Sequence, residues 1–365
     1  MRFNNIFNLN YLFIFVTLLL ICIGVAALYS AGEGSFYPWS IKHLIRFSVF
    51  FIGMIVIALV DIKLIFKYSY LFFIILLVLL FSVEIIGSFG KGAERWIRIF
   101  GVSIQPSELI KVGIILALAR YYHSLKHENI ALFRYLFFPF LIIFTPFFLV
   151  IIQPDLGTSL SIFLLGILIM FVSGIRIWKF VLGIVFILIS IPFLWNYLQP
   201  YQQNRVFSFL NPELDPLGKG YQLIQSKIAL GSGGLTGKGF LKGTQSYLEY
   251  LPEKQTDFIF TLIGEEFGFL GTMFVLFLYS LLILICFYIS IKSFHLFGRI
   301  LSLGVASNLF LYVCLNVSMV TGLMPIVGIP LPLVSYGGTA MLSVMISFGL
   351  LLNVDIHYSV KKIDT

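Results

Sequence analysis

Charge is what this sequence has least of. Only 11% of its 365 residues are Asp, Glu, Lys or Arg, against about a quarter in a soluble domain. With 59% hydrophobic residues gathered into long runs, such a chain does not read as a soluble globular domain; the bilayer is its solvent. Cysteine is scarce as well. Cys22, Cys286 and Cys314 fall inside apolar runs without CxxC or zinc spacing, and read as small buried apolar residues. There is no HExxH, no clustering of the five histidines and no Ser-His-Asp set on one face, which leaves zinc-enzyme and hydrolase readings weak. No sequence repeat and no low-complexity tract occurs. The first apolar run is long enough to span and lacks a small-x-small cleavage site, so no cleavable signal peptide is expected.

What is present is a series of apolar runs. A helix needs about 20 apolar residues to cross the hydrocarbon. Ten spans are expected, at 11–30, 44–60, 68–87, 106–121, 135–152, 157–174, 177–198, 257–290, 299–322 and 334–354. The fold class is therefore an all-α polytopic membrane protein of about ten transmembrane helices, a single domain over residues 1–365. The eighth run is long enough that it either kinks near Gly268 or Gly271 or projects beyond the membrane. An even count puts both termini on one side. With the N-terminus inside, the cytoplasmic segments carry twelve Lys and Arg and the short outer loops five, Lys42, Arg46, Lys91, Arg95 and Arg98. That asymmetry places both termini in the cytoplasm of a bacterial cytoplasmic (inner) membrane protein, and accounts for the net charge of +8. One large extracytoplasmic loop, 199–256, joins helices seven and eight. Its glycine run, Gly231 to Gly239, is no phosphate loop, since it lacks GxxxxGK[ST] spacing and a preceding strand.

Ionisable groups in spans cost about 2.5–3.5 kcal/mol each on insertion scales and are candidate functional groups. Glu84 lies near the outer end of the third span. Glu108 and Lys111, three apart on one helical face, form either a self-neutralising structural pair or the lining of a polar cavity that orients a third group. Asp257, where the long loop enters the eighth span, has the position a general base needs; the structural alternative is a helix cap by Asp257 or Thr256. Glu265 is expected on the Asp257 side and Glu266 against a neighbouring helix. Asp155 caps the sixth span or adds a carboxylate to the outer cavity. Arg205 is a solvated charge or a phosphate ligand.

At these motifs the chain resembles the SEDS family (shape, elongation, division and sporulation proteins), over nearly its whole length. The segments are Arg95-Trp-Ile, Gln105-Pro-Ser-Glu-Leu-Ile-Lys111, Gln153-Pro-Asp-Leu-Gly-Thr158, Asn211-Pro-Glu-Leu-Asp-Pro-Leu-Gly218, Gln225-Ser-Lys-Ile-Ala-Leu-Gly-Ser-Gly-Gly234, Leu251-Pro-Glu-Lys-Gln-Thr-Asp-Phe-Ile-Phe260, Gly264-Glu-Glu-Phe-Gly268 and Ser335-Tyr-Gly-Gly338. Met324 to Gly338 looks like the elongation branch of that family. The resemblance implies a ten-helix glycosyltransferase that polymerises lipid II outside the cytoplasmic membrane during cell elongation. It implies Asp257 as catalytic residue, Glu108 and Lys111 as its support, a divalent cation (Mg2+ or Mn2+) as helper with no organic cofactor, and a class B penicillin-binding protein and the elongation machinery as partners.

Arg95, Trp96, Asp155, Arg205, Gln225 and Lys227 complete the candidate site, as ligands for the substrate and its pyrophosphate. The other classes are a lipid II flippase or transporter, which would put its key charges near the midplane, and a non-catalytic scaffold for a penicillin-binding protein. Here the charges gather at the outer end.

Overall fold

The computed structural model describes residues 9–86, 88–90, 93–99, 102–126, 132–196, 203, 207–214, 218–247 and 250–358. Ten long helices follow the ten apolar runs. They are α1 (Tyr11–Ala31), α2 (Trp39–Ala58), α3 (Ile62–Ile86), α4 (Pro106–Ser124), α5 (Phe137–Ile152), α6 (Leu156–Val172) and α7 (Ile177–Trp195). After the long loop, with its helix α8 (Lys219–Ser232), come α9 (Ile259–Lys292), α10 (Leu296–Thr321) and α11 (Gly338–Ile356).

Seven of the ten are long and apolar enough to cross a membrane, and α6 and α7 are shorter apolar helices. The exception, α4, tolerates Glu108, Lys111 and Arg120 because it is interior. Nearly every residue from Pro106 to Ala119 is buried, so protein rather than lipid surrounds its polar groups. The helices α10 and α11 are the other central pair, buried over most of their length. At the opposite extreme, every residue of α7 from Val181 to Ile189 is exposed, so lipid can reach it from all sides.

Antiparallel succession puts the two ends of the bundle in clear relation. At one end Asn10 Nδ2 donates to Asp355 Oδ2 at 3.4 Å, and Lys292 Nζ to Asp355 Oδ1 at 2.9 Å. The start of α1, the end of α9 and the end of α11 therefore share this terminal end. The far end carries the long loop, the 322–337 connection and a small antiparallel sheet. The strands are β1 (Ser88–Gly90), β2 (Ala93–Ile99) and β3 (Val102–Ile104), in that order. This sheet, and α8 within the loop, were not expected from sequence.

The eighth run kinks at Gly268, with φ 66 and ψ −161, a region open only to glycine. The break removes the ladder bonds that residues 269 and 270 would give to the carbonyls of 265 and 266. An irregular stretch of the glycine-rich loop replaces them. Lys238 and Gly239 N–H donate to the Glu265 and Glu266 carbonyls, each at 3.0 Å. Phe269 N–H donates to Gly234 O at 2.8 Å and Leu270 N–H to Leu235 O at 3.1 Å. All four groups freed by the break are thus satisfied, as they must be where water is scarce. Gly237 is required by the same contact, because a Cβ there would fall 2.1 Å from the Glu266 carbonyl oxygen.

Candidate active site

The polar groups of the far end gather around α4, α10 and two loops. On α4, Pro106 opens the helix and Glu108 sits in its first turn, where a carboxylate complements the helix dipole. Lys111, one turn on, donates to Glu108 Oε1 at 2.9 Å and to Tyr312 Oη of α10 at 2.6 Å. Tyr312 Oη donates in turn to Glu108 Oε2, and Ser343 Oγ of α11 to the Glu108 carbonyl at 2.9 Å. Glu108 and Lys111 are 6% and 2% exposed. The pair closes a triad with Tyr312 that ties α4 to α10, and Ser343 adds α11.

Asp155 is the N-cap of α6. Its Oδ1 accepts from Thr158 N–H at 3.2 Å and its Oδ2 from Thr158 Oγ1 at 2.9 Å. Gln105 Nε2, at the start of α4, also donates to that Oδ2, at 3.3 Å. Of the two readings of Asp155, the helix cap is observed, and Gln105 links it to the start of α4.

Asp257 is not a helix cap. The cap of α9 is Phe258, without a side-chain hydrogen bond, and residues 252–258 form turns ahead of the helix. Helical periodicity therefore does not run from Asp257 to Glu265, and Glu265 faces the glycine-rich loop instead. Glu266 meets α1 as expected, through Ser30 Oγ, which donates to its Oε1.

The backbone around Asp257 is held on several sides. Asn316 Nδ2, one turn along α10 from Tyr312, donates to the Asp257 carbonyl at 2.9 Å and to the Ile329 carbonyl at 2.7 Å. Ser335 Oγ donates to the Thr256 carbonyl at 2.5 Å, and Tyr336 N–H to the Gln255 carbonyl at 2.9 Å. Gly328, at φ +80, lies beside the carboxylate, where a Cβ would fall 3.3 Å from Asp257 Oδ2. The Glu108–Lys111–Tyr312 triad thus reaches Asp257 through one face of α10.

Sequence reading treated the Ser335-Tyr336 segment only as a family match and missed its role. It also left Arg46 among the outer-loop charges. The structure puts Arg46 inside α2, its guanidinium 4.8 Å from the Tyr336 ring centre.

The remaining candidates are scattered. Ser226 anchors α8, meeting Thr261 Oγ1 at 2.8 Å and donating to the Val320 carbonyl at 2.8 Å, with half-buried Gln225 and exposed Lys227 beside it. The Lys227 side chain crosses the end of α10, where a Cβ on Gly322 would fall 2.6 Å from its Nζ. Trp96, half-buried in β2, pairs with Ser88. Arg95 belongs to β2, but its side chain, like Arg205 as a whole, lies outside the described residues. Among the described residues there is no group of three or more His, Cys, Asp or Glu that could hold a metal ion.

A model of the FtsW, RodA and SpoVE cell cycle proteins matches residues 5–360. Peptidoglycan glycosyltransferase MrdB of Escherichia coli K12 is 45% identical over 294 residues, 78% of this chain and 77% of that protein. Stage V sporulation protein E of Bacillus subtilis is 38% identical over 355 residues, 94% of this chain and 96% of that one. A chain of a peptidoglycan synthase complex, whose structure concerns the coordination of polymerization and crosslinking, superposes with TM-score 0.83. It is 27% identical, over 96% of this chain and 99% of that chain. RodA of Thermus thermophilus, 24% identical over 96% of this chain and 98% of its own, shares the fold with TM-score 0.73. By the extent of these matches, the chain belongs to the FtsW/RodA/SpoVE family, here met first as SEDS.

Proposed function

We propose that this chain is a peptidoglycan glycosyltransferase that polymerises lipid II at the outer face of the bacterial inner membrane, with Asp257 as general base. Peptidoglycan glycosyl transfer is the named activity of its relatives. One observation carries the assignment of Asp257. Asp257 keeps its side chain part-exposed on a backbone fixed by Asn316 and the Ser335–Tyr336 segment.

A sugar hydroxyl is a poor nucleophile, and a positioned carboxylate that takes its proton contributes about 10²–10⁴ in rate. The acceptor is the 4-hydroxyl of one lipid II. The donor is the lipid-linked sugar of another, and the bond to its pyrophosphate breaks with inversion. Developing charge on the polyprenyl pyrophosphate calls for cations, which basic residues of the far end such as Arg205 would supply. A divalent cation, when bound with the substrate, would neutralise the same charge. The prenyl tails have apolar surface to follow, including a groove of about 380 Å³ between α1 and α2 lined by Cys22, Tyr29, Phe36 and Phe240. A class B penicillin-binding protein of the elongation machinery would crosslink the product.

The test is polymerisation of labelled lipid II by the purified chain in detergent, with and without chelator. Asp257→Asn should abolish polymer while leaving thermal unfolding unchanged. Full activity in that variant removes Asp257 from the mechanism, and inertness of the wild type with its partner present removes the reading.

A further inference from the structure

We infer that Arg46, on the spanning helix α2, is a further substrate ligand, one that holds a phosphate oxygen of the polyprenyl pyrophosphate. The helix opens at Trp39 at the far end and runs to Ala58. Arg46 lies seven residues past Trp39, about 10 Å along the axis. An arginine inside a span is costly and is a functional candidate by default. Arg46 is half-buried, and among the described residues it has no hydrogen bond and no ion pair. What holds it is packing. The guanidinium lies over the Tyr336 ring, 4.8 Å from its centre. A Cβ on Gly338 would fall 3.2 Å from its Nη1, 3.3 Å from Cζ and 3.5 Å from Nε. With Cζ as near as the nitrogens, Gly338 covers the flat face of the group and not its edge. The N–H donors lie in the plane, so they point out along that edge and stay unbonded. A planar fork held by its face, with its edge open, is the arrangement that takes an oxyanion through two parallel bonds.

Charge sharpens the point. Helix α11 begins at Gly338, against the same guanidinium, and its N-cap Gly337 has no side-chain cap. The start of a helix carries partial positive charge, so it repels Arg46 instead of compensating it. Both features ask for an anion. Their place in the fold says which one. Tyr336 N–H donates to the Gln255 carbonyl at 2.9 Å, and Ser335 Oγ to the Thr256 carbonyl. Arg46 is thus joined through Tyr336 to the segment that carries Asp257. The identity of the ligand rests on the reading of Asp257 as general base in glycosyl transfer. On that reading, the anion near the base at membrane depth is the polyprenyl pyrophosphate. A fixed bidentate donor would hold it in the bound substrate and stabilise its growing charge as it leaves.

The experiment uses the full chain in phosphatidylcholine nanodiscs and needs no turnover. Thermal unfolding is followed as undecaprenyl pyrophosphate is added, with undecaprenol as the tail-only control. The wild type should be stabilised saturably by the pyrophosphate and not by the alcohol. Arg46→Gln should raise the half-saturating concentration about tenfold or more, through loss of one charge-assisted bidentate contact. Arg46→Lys keeps the charge without the fork and should fall between the two; it serves alone if Arg46→Gln does not fold. Lys63→Gln, which removes an exposed charge at the terminal end, should respond like the wild type. An earlier melt of Arg46→Gln with an unchanged pyrophosphate response makes Arg46 a packing residue and overturns the proposal, as does no response in the wild type. A wild-type melt that rises with phosphatidylglycerol in the disc through Arg46, with no Arg46-dependent response to pyrophosphate, assigns the anion to a phospholipid headgroup and overturns it too. Lipid II polymerisation is read separately. A wild type that binds the pyrophosphate through Arg46 yet makes no polymer with its partner present removes the glycosyltransferase reading and upholds the ligand.

Discussion

Lys111 is 2% exposed, and Glu108 and Tyr312 close around its side-chain nitrogen. Breaking a buried pair by removing one partner costs about 3–5 kcal/mol, whereas replacing both together is often near neutral. Lys111→Met alone should therefore lower the unfolding free energy by about that amount, and Glu108→Gln with Lys111→Met should recover part of it. Thermal melts of the three variants check this; additive losses would show that the pair does not act as a unit. Gly328 makes a second residue-scale case. Its positive φ and its contact with the Asp257 carboxylate mean that Gly328→Ala both strains the backbone and crowds the base. Lipid II polymerisation should slow about tenfold or more while the substrate concentration for half-maximal rate changes little. These contacts were not legible in the sequence. The spacing of Glu108 and Lys111 shows that they share a face, but only the fold brings Tyr312, 201 positions away, to close the triad. Asp257 was found as a family match and by its place at a span entrance, while its support Asn316 carries no signal of its own and Ser335 only that of a family match.

At the scale of elements, hydrophobic length located all ten long helices. It placed the start of α2 too late, at 44 rather than Trp39, because Lys42, His43 and Arg46 dilute the apolar run. Helix α8 escaped because its apolar residues are few and sit within a polar loop. The β1–β3 sheet escaped because its strands are short and carry charge. A kink at Gly268 was one of the alternatives foreseen, but not the loop segment that bonds across it. Gly268→Ala should destabilise by more than the about 1–3 kcal/mol of a forbidden backbone region, since the Cβ would also fall 2.4 Å from Gly237 N. Gly53→Ala, within α2 and with no atom within 4 Å of an added Cβ, serves as the comparison in the same melts. Helix α10 supplies a pH-dependent element. Its N-cap His295 accepts from Gly298 N–H at 2.8 Å through Nδ1, and burial, followed by the His123 and His357 charges, lowers its pKa from 6.5 to about 4. The folded state thus prefers neutral His295. Its contribution to stability is complete above about pH 6.5 and is lost as the pH falls toward 4. Melting temperature measured across that window should drop, and His295→Asn, which keeps a capping oxygen without titrating, should flatten the drop.

The whole molecule is organised by its two ends, and the sidedness of those ends decides whether the chemistry proposed here can occur. Asn10, Lys292 and Asp355 join both terminal segments at one end, while Asp257, α8 and the glycine-rich loop occupy the other. We propose, from the excess of Lys and Arg in the segments of the terminal end, that this end faces the cytoplasm. In a chain whose three cysteines are replaced by serine or alanine, Lys242→Cys, exposed in the far-end loop, should react with a membrane-impermeant maleimide in intact spheroplasts. Lys63→Cys, exposed where α3 begins at the terminal end, should react only after permeabilisation. The opposite pattern would leave every helix and contact described here intact, yet put Asp257 on the side of the membrane away from the glycan strands. A general base there could not serve their growth, whatever its geometry.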